Sequence, residues 1–455
     1  MKNPLSIAGL TALFVSLMLT VAIRPLKAQN KDNRQSINKM SLEDVLRIAE
    51  KENFQVLMAE SDIEITRSQY RQTNAAFLPR ISLEETGIST NDPLSVFGFK
   101  LKQEAVTAAD FNPDILNNPD PYENFNTKLQ VQQPLFNPDQ FLRRSAVKNQ
   151  LNAAKEQLEG TQSYARFQVK ETYYQLLLTE ERLSVINTSL KAARENERQA
   201  RDFYEQGMVS KADYLAAAVR VRDLESRQSE AENQRQSVQE NLRFLLGMNE
   251  EVVIQPTDSL NMATASLGSL PANPDVSNST LQALQYRVKA AEKMVSSSKL
   301  SFVPSINLFG SYEFNDDVLL GTQGENYMLG ATLKWELFSG FSKVGKVMQS
   351  QAELKKAKVA YQSQSQKTRM EIKQARRSVK QAQKQFAFAE ASVEQAAEDL
   401  RIRSDRYEQG MEKTSDLLSA EARYSQAQLQ RLNAVYQHNI SMATLELLFE
   451  QELPN

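Results

Sequence analysis

Tyr204-Glu205-Gln206-Gly207-Met208 recurs as Tyr407-Glu408-Gln409-Gly410-Met411. Gly207 and Gly410 lie 203 positions apart, and the match continues at that spacing: Asp213 with Asp416, Leu215 with Leu418, Arg220 with Arg423. An exact pentapeptide flanked by collinear matches marks a duplication. Upstream, Leu135-Phe136 pairs with Leu337-Phe338, and Phe77-Leu-Pro-Arg-Ile-Ser-Leu83 pairs with Phe302-Val-Pro-Ser-Ile-Asn-Leu308. The spacing there grows from 202 to 225, so the first copy carries an insertion of roughly 23 residues. The insertion holds the Asn/Asp/Pro-rich run Asp110 to Tyr122, which reads as a loop.

Each copy has one order of parts. A helix ends at a proline, Pro79 or Pro304, because the residue before proline disfavours the helical region. Strand-like segments follow, expected at about 80–90 and 124–135, and again at about 305–315 and 326–337. In the second copy Ile306, Leu308, Tyr312 and Phe314 alternate with Asn307, Ser311, Glu313 and Asn315. Its return strand alternates Tyr327, Leu329, Ala331, Leu333, Trp335 and Leu337 with polar residues. In the first copy Phe125, Leu129, Val131 and Leu135 alternate with Asn126, Lys128, Gln130 and Gln132. One apolar and one polar face at period two fits a half-buried sheet or a membrane barrel. About ten residues per strand suits a tilted membrane crossing. A soluble sandwich is the alternative on the strands alone.

Long helices come next, expected at about 138–206 and 210–247, then at about 342–409 and 413–450. Close to 70 residues at 1.5 Å each would reach roughly 100 Å. Pro138 suits a first helical turn, and glycine at 207 and 410 suits a helix stop. Each copy thus ends in a helical hairpin with its tip at the glycine motif. Phe386, Ala389, Val393, Ala396 and Leu400 follow a coiled-coil period, as do Leu418, Ala422, Ser425, Leu429, Leu432 and Tyr436. A purely structural coiled coil accounts for these helices equally well when they are taken alone.

The 455 residues contain 14 Gly and 14 Pro, in keeping with long helices. Lys+Arg 54 against Asp+Glu 56 leaves a net charge of −2, which gives no support for a nucleic-acid surface. Cys is absent, which removes disulfides, thiol catalysis and a lipidated cysteine anchor. Lys2, the apolar run Leu5 to Ile23 and Leu26-Lys27-Ala28 read as a signal peptide over 1–28. A membrane helix is the other reading of that segment. No later run reaches the ~18 apolar residues of a spanning helix, so any membrane crossing falls to a β-barrel. The expected division is a first repeat over 29–247, an inter-repeat linker over 248–278 and a second repeat over 279–455. Val252 to Gln255 is a strand candidate inside the linker.

Catalytic patterns are missing: no HExxH, P-loop or Gly-rich dinucleotide turn occurs, and His438 is the only histidine. Glu84-Glu85 and Glu250-Glu251 are adjacent acids better explained as solvated strand and loop positions, and Asp316-Asp317 reads as a loop tip between strands. The expectation is no enzyme, no cofactor and no metal. Four strands cannot close a barrel, for which about eight is the minimum. Either the sheet is open and soluble, as in a periplasmic coiled-coil scaffold without a pore, or several chains share one barrel.

The duplicated order of Pro motif, strand pair, long helix, glycine tip and returning helix resembles the TolC family of outer-membrane efflux and secretion channels. The most specific residues are Tyr407-Glu-Gln-Gly410-x5-Asp416-Leu-Leu418, Gly207-x5-Asp213 and the Pro79 and Pro304 turns. The resemblance implies an α+β membrane protein: a homotrimer whose 12-stranded barrel, bathed in outer-membrane lipid, joins an α-helical periplasmic tunnel. It implies two further partners, a periplasmic adaptor and an inner-membrane pump, and makes 248–278 an equatorial segment that wraps the middle of the tube. The tips, with Gly207, Met208, Gly410 and Met411, would dock the adaptor and form the closed entrance. Asp416 would stand in an acidic ring across the pore, where like charges raise some carboxyl pKa values. Tyr407 and Asp213 would form a latch between hairpins. Ser419 stands where the family has a second Asp, and Glu412 where it has the latch Arg. Both departures put the family's gate chemistry in question. The alternative for Asp213 and Asp416 is that each simply caps its returning helix.

Overall fold

A computed structural model describes residues 36–249, 252–263 and 278–451. The expected signal peptide, the Glu250-Glu251 pair and much of the linker lie outside the described residues. The described residues start with β1 (Ser36–Met40), α1 (Leu42–Glu52) and α2 (Phe54–Gln72). Next come β2 (Arg80–Thr90), the short helices α3 (Pro93–Lys102) and α4 (Pro113–Asn117), and β3 (Tyr122–Phe136). The first long hairpin is α5 (Pro138–Glu205) with α6 (Lys211–Leu245). β4 (Val252–Pro256) and α7 (Ser279–Leu300) lead to β5 (Ser305–Asp316) and β6 (Gly324–Lys334). The second hairpin is α8 (Ser342–Glu408) with α9 (Thr414–Phe449).

The 68 residues of α5 extend about 100 Å. α5 packs against α2 and α7 toward the strands, against α6 and α9 toward the tips, and α8 packs on α7 and α9. Among the described residues no helix is long and apolar enough to cross a membrane. The largest core lies midway along α5, where Tyr173, Leu176 and Leu177 meet Val45, Leu46 and Ala49 of α1, Leu242 and Leu245 of α6, and Ile254. Here β1 pairs in parallel with β4, Ser36 to Val252 through Met40 to Pro256. The linker is therefore more than connecting chain: part of it is a strand that ties the first described residues to the region between the repeats. The buried Tyr173 hydroxyl shares its one hydrogen between the Met40 carbonyl, 2.9 Å away, and Asp258, 2.8 Å away, and Asp258 also accepts from the Leu42 amide at 2.8 Å.

Two corrections concern the strand region. The run 110–122 is not simply a loop, because Asn112 caps α4 by accepting from the Asp114 amide at 3.0 Å, with Pro113 in the first turn. β6 stops at Lys334, short of Leu337, and the Trp335 indole turns to donate to the Phe302 carbonyl at 3.1 Å. At the Pro79 turn, Arg144 of α5 lies 4.2 Å over the Tyr70 ring and donates to Thr73 at 3.0 Å and Asn74 at 2.5 Å. These contacts fix the angle at which helix gives way to strand.

The four longer strands form one antiparallel sheet in the order β2-β3-β5-β6. Its register puts Ile81, Val131, Gly310 and Leu329 side by side, and likewise Leu83, Leu129, Tyr312 and Tyr327. This face is apolar and open: Leu83 is 71% exposed, Leu329 80% and Tyr327 81%. The opposite face aligns Glu84, Lys128, Glu313 and Asn326, with Lys128 and Glu313 paired at 2.9 Å. Among the described residues, the sheet edges β2 and β6 have no partner strand.

Candidate gate at the helical tips

Gly207 and Gly410 take φ of 74° and 71°, the left-handed conformation that ends a helix most easily at glycine. The backbone bonds around them are the same. Met208 donates to the Phe203 carbonyl at 2.8 Å and Gly207 to Tyr204 at 2.9 Å; Met411 donates to Arg406 at 2.9 Å and Gly410 to Tyr407 at 2.9 Å. A side chain at either glycine would meet nothing within 4 Å, so conformation, not crowding, demands glycine. Met208 and Met411 project from the two tips and are exposed.

Side chains make the two tips different. In the first, Ser210 accepts from the Asp213 amide at 3.3 Å, while the Asp213 carboxylate accepts from the Ser210 amide at 3.1 Å and hydroxyl at 2.7 Å. Asp213 is thus one half of a capping box. In the second tip Lys413 replaces that serine and makes no side-chain cap. Among the described residues the Asp416 carboxylate has no hydrogen-bond partner; the Arg403 pKa is raised chiefly by Asp399, with Glu412 and then Asp416 adding to it. Capping explains Asp213 and leaves Asp416 unexplained.

The repeated tyrosines have opposite fates. Tyr204 lies outside, stacked on Tyr214 with ring centroids 6.2 Å apart. Tyr407 is only 2% exposed and packs its ring on Phe203 of the other hairpin, with centroids 5.9 Å apart. Its hydroxyl lies 3.3 Å from the Thr414 hydroxyl. The expected Tyr407–Asp213 latch is not formed within the chain, because Thr414 takes the tyrosine and Ser210 the aspartate. Glu412, at the family's Arg position, pairs with Arg403 at 2.9 Å. Arg403 also meets Asp399 at 2.8 Å, and Arg423 meets Asp399 at 2.7 Å. Arg423, then Arg403, lowers the Asp399 pKa. Both hairpin arms are therefore stapled by charges of the second repeat itself.

Higher in the same bundle, Glu421 of α9 is mostly buried against α5 and accepts from Asn196. Burial raises its pKa to about 7, opposed by the positive charge of Arg220 and the Asn196 bond. Phe203, Thr414 and Glu421 escape a reading based on what the repeats share. Their counterparts at the repeat spacing are Arg406, Lys211 and Ala218, so the signal lies in where the copies differ.

His438 is buried at 1% exposure, and burial lowers its pKa. Among the described residues no serine or carboxylate pairs with it, so it forms no Ser-His set. No group of three acidic or histidine side chains that could hold a metal occurs among the described residues. The adjacent acids Glu84 and Glu85 point to opposite faces of β2, and Asp316 accepts from the Val318 and Gln323 amides at the β5–β6 turn.

The sequence profile of outer membrane efflux proteins matches residues 45–248 and 274–449. The chain belongs to the outer membrane efflux protein family. It is an outer-membrane channel protein, with its sheet in the membrane and its helices forming a tunnel in the periplasm. A relative, the alkaline protease secretion protein AprF of Pseudomonas aeruginosa, is 22% identical over 395 residues, covering 83% of this chain and 78% of its own. The channel's fold is that of the Campylobacter jejuni CmeC outer membrane channel, at TM-score 0.78 and 16% identity, covering 94% of this chain and 93% of that one. It is likewise that of VceC from Vibrio cholerae, at TM-score 0.74 and 17% identity, covering 91% and 97%.

Proposed function

We propose that three copies of this channel form one duct that gives passive exit to cargo handed over by a periplasmic adaptor and an inner-membrane pump. The observation that carries this reading is the sheet. Its apolar face suits lipid, but its edges β2 and β6 leave backbone groups without partner strands among the described residues. In a bilayer each such group costs several kcal/mol, so open edges are not tolerated there. Three antiparallel pairings across the sheet make β2 and β6 run in opposite directions. The β6 of one copy can therefore continue antiparallel onto the β2 of the next. Four strands from each of three chains give twelve, enough for a closed, hollow barrel.

The tips are the closed entrance in this reading. Asp416, whose carboxylate has no hydrogen-bond partner among the described residues, faces its two symmetry mates around the axis and attracts cations. Exposed Met208 and Met411 are adaptable apolar knobs of the kind used at docking surfaces. Cargo is set by the pump, and AprF is named for alkaline protease secretion while CmeC is named an outer membrane channel. The test is detergent-solubilised full-length protein: heat-modifiable trimers with stepwise conductance in planar bilayers support the duct. Monomers in detergent-free buffer would instead support a scaffold without a pore.

A further inference from the structure

The insertion carried by the first repeat alone packs on the polar face of the sheet, and we propose that it is a lid over the outer mouth of the duct that limits the size of departing cargo. The lid rests on the trimeric reading above. β2 and β3 are joined through α3 and α4, whereas β5 and β6 are joined by a short turn around Val318–Gly321. Both connections lie at the end of the sheet away from the long helices, hence at the outer surface. The face bearing the Lys128–Glu313 ion pair cannot face lipid, so it lines the lumen.

Gln103, which ends α3, lies against that luminal face and is 1% exposed. Its amide nitrogen donates to the Glu123 carbonyl and to Asn124 Oδ1, both at 3.0 Å, and its oxygen accepts from the Tyr122 hydroxyl at 2.5 Å. Both donors and the acceptor of the amide are thus used on the end of β3. The network continues down the lumen: Asn124 donates to Asn315 at 3.2 Å, and Asn126 to Asn315 at 3.1 Å. Buried polar groups joined in this way hold one geometry, because breaking the chain strands each member.

A second anchor sits across the sheet. The backbone of Lys102 crosses so close to Gly324, the first residue of β6, that a β carbon there would lie 1.9 Å from the Lys102 carbonyl oxygen. The segment is therefore bonded to β3 and pressed on β6, spanning β5 on the luminal side. Glu104 takes a left-handed φ of 56° immediately afterwards, and Ala105 donates to the Lys100 carbonyl at 2.8 Å. Lys100 then pairs with Asp110 at 2.6 Å, which fixes the return. In a closed barrel three such segments converge on the axis. A connection that merely hung outward would need neither the buried amide nor the glycine.

Full-length channels in planar bilayers test the lid. Gly324→Val places a strand-compatible side chain where Lys102 must pass, and Gln103→Ala removes the amide without touching the backbone. Each is expected to keep heat-modifiable trimers and to raise unitary conductance about twofold or more, because the narrowest outer section widens. Intact trimers of both variants with wild-type conductance overturn the lid. The unmodified channel gives a separate readout. A polyethylene glycol small enough for a twelve-stranded barrel is excluded from the outer side when the lid is shut, and its free entry overturns the lid. If the unmodified protein gives neither trimers nor conductance steps, it is the trimeric duct that fails, and the lid with it.

Discussion

The ring of Tyr407 packs on Phe203, centroids 5.9 Å apart and planes inclined by 58°, and so joins the tip of the second hairpin to the last turn of the first. Tyr204, the same residue one repeat earlier, remains outside. The duplication thus supplies two tips, of which one carries an inward anchor. Tyr407→Ala removes that anchor and is expected to destabilise tip closure by roughly 3 kcal/mol. Bilayer recordings should register it as a raised open probability. Tyr407→Phe keeps the ring, loses only the Thr414 contact, and should stay close to wild type.

The paired aspartates separate capping from pore chemistry. Asp213→Ala breaks a capping box and should lower tip stability by about 1 kcal/mol, seen as faster amide exchange at Ser210–Tyr214. It should leave block by multivalent cations unchanged. Asp416→Ala should weaken that block without any capping loss, since Lys413 provides no cap. Equal block in the Asp416 variant and the wild type would remove Asp416 from the pore.

Glu421 makes the hairpin interface sensitive to pH. Its folded pKa, about 7, lies above the ordinary carboxyl value of 4.5, so the folded chain holds a proton that the unfolded chain has released. The stabilisation is complete below about pH 4.5 and is lost as pH rises toward 7. Asn196 and Arg220 are the groups that face it and favour its charged form. Hydrogen exchange in the lower halves of α5 and α9 should quicken across that window. Glu421→Gln should flatten the dependence; a variant with the same slope as wild type would rule Glu421 out as its source.

The middle of the tunnel depends on Tyr173. Tyr173→Phe takes one hydroxyl from Met40 and Asp258 in a buried setting and should cost roughly 1–3 kcal/mol. Thermal unfolding should move down accordingly, while conductance stays at the wild-type value because the pore-lining faces are untouched.

Much of this architecture can be read from residues alone. Glycine at 207 and 410 readily takes the left-handed conformation that ends a helix, and period-two alternation in Ile306–Asn315 selects a sheet with unlike faces. Other features need contacts between distant residues. Val252–Pro256 reads as a strand, but nothing in it names Ser36–Met40 as its partner. The run 110–122 is rich in Pro, Asn and Asp, which signal a loop; the same Asn112-Pro113 pair is equally a cap and first turn, and the contacts decide for a helix. At the tip, shared residues point to Tyr407, Asp213 and Asp416, whereas the partners of Tyr407 are residues the other repeat lacks. A reading built on similarity between copies passes over them.

One chain supplies only four strands, part of a closed barrel. The most direct measurement is the mass of the purified full-length protein in detergent, corrected for bound detergent, on the same sample that is recorded in bilayers. A barrel shared by three copies gives three chains of 51.5 kDa in one heat-modifiable particle that conducts in discrete steps. A monodisperse 51.5 kDa particle that stays soluble without detergent and never conducts would contradict it.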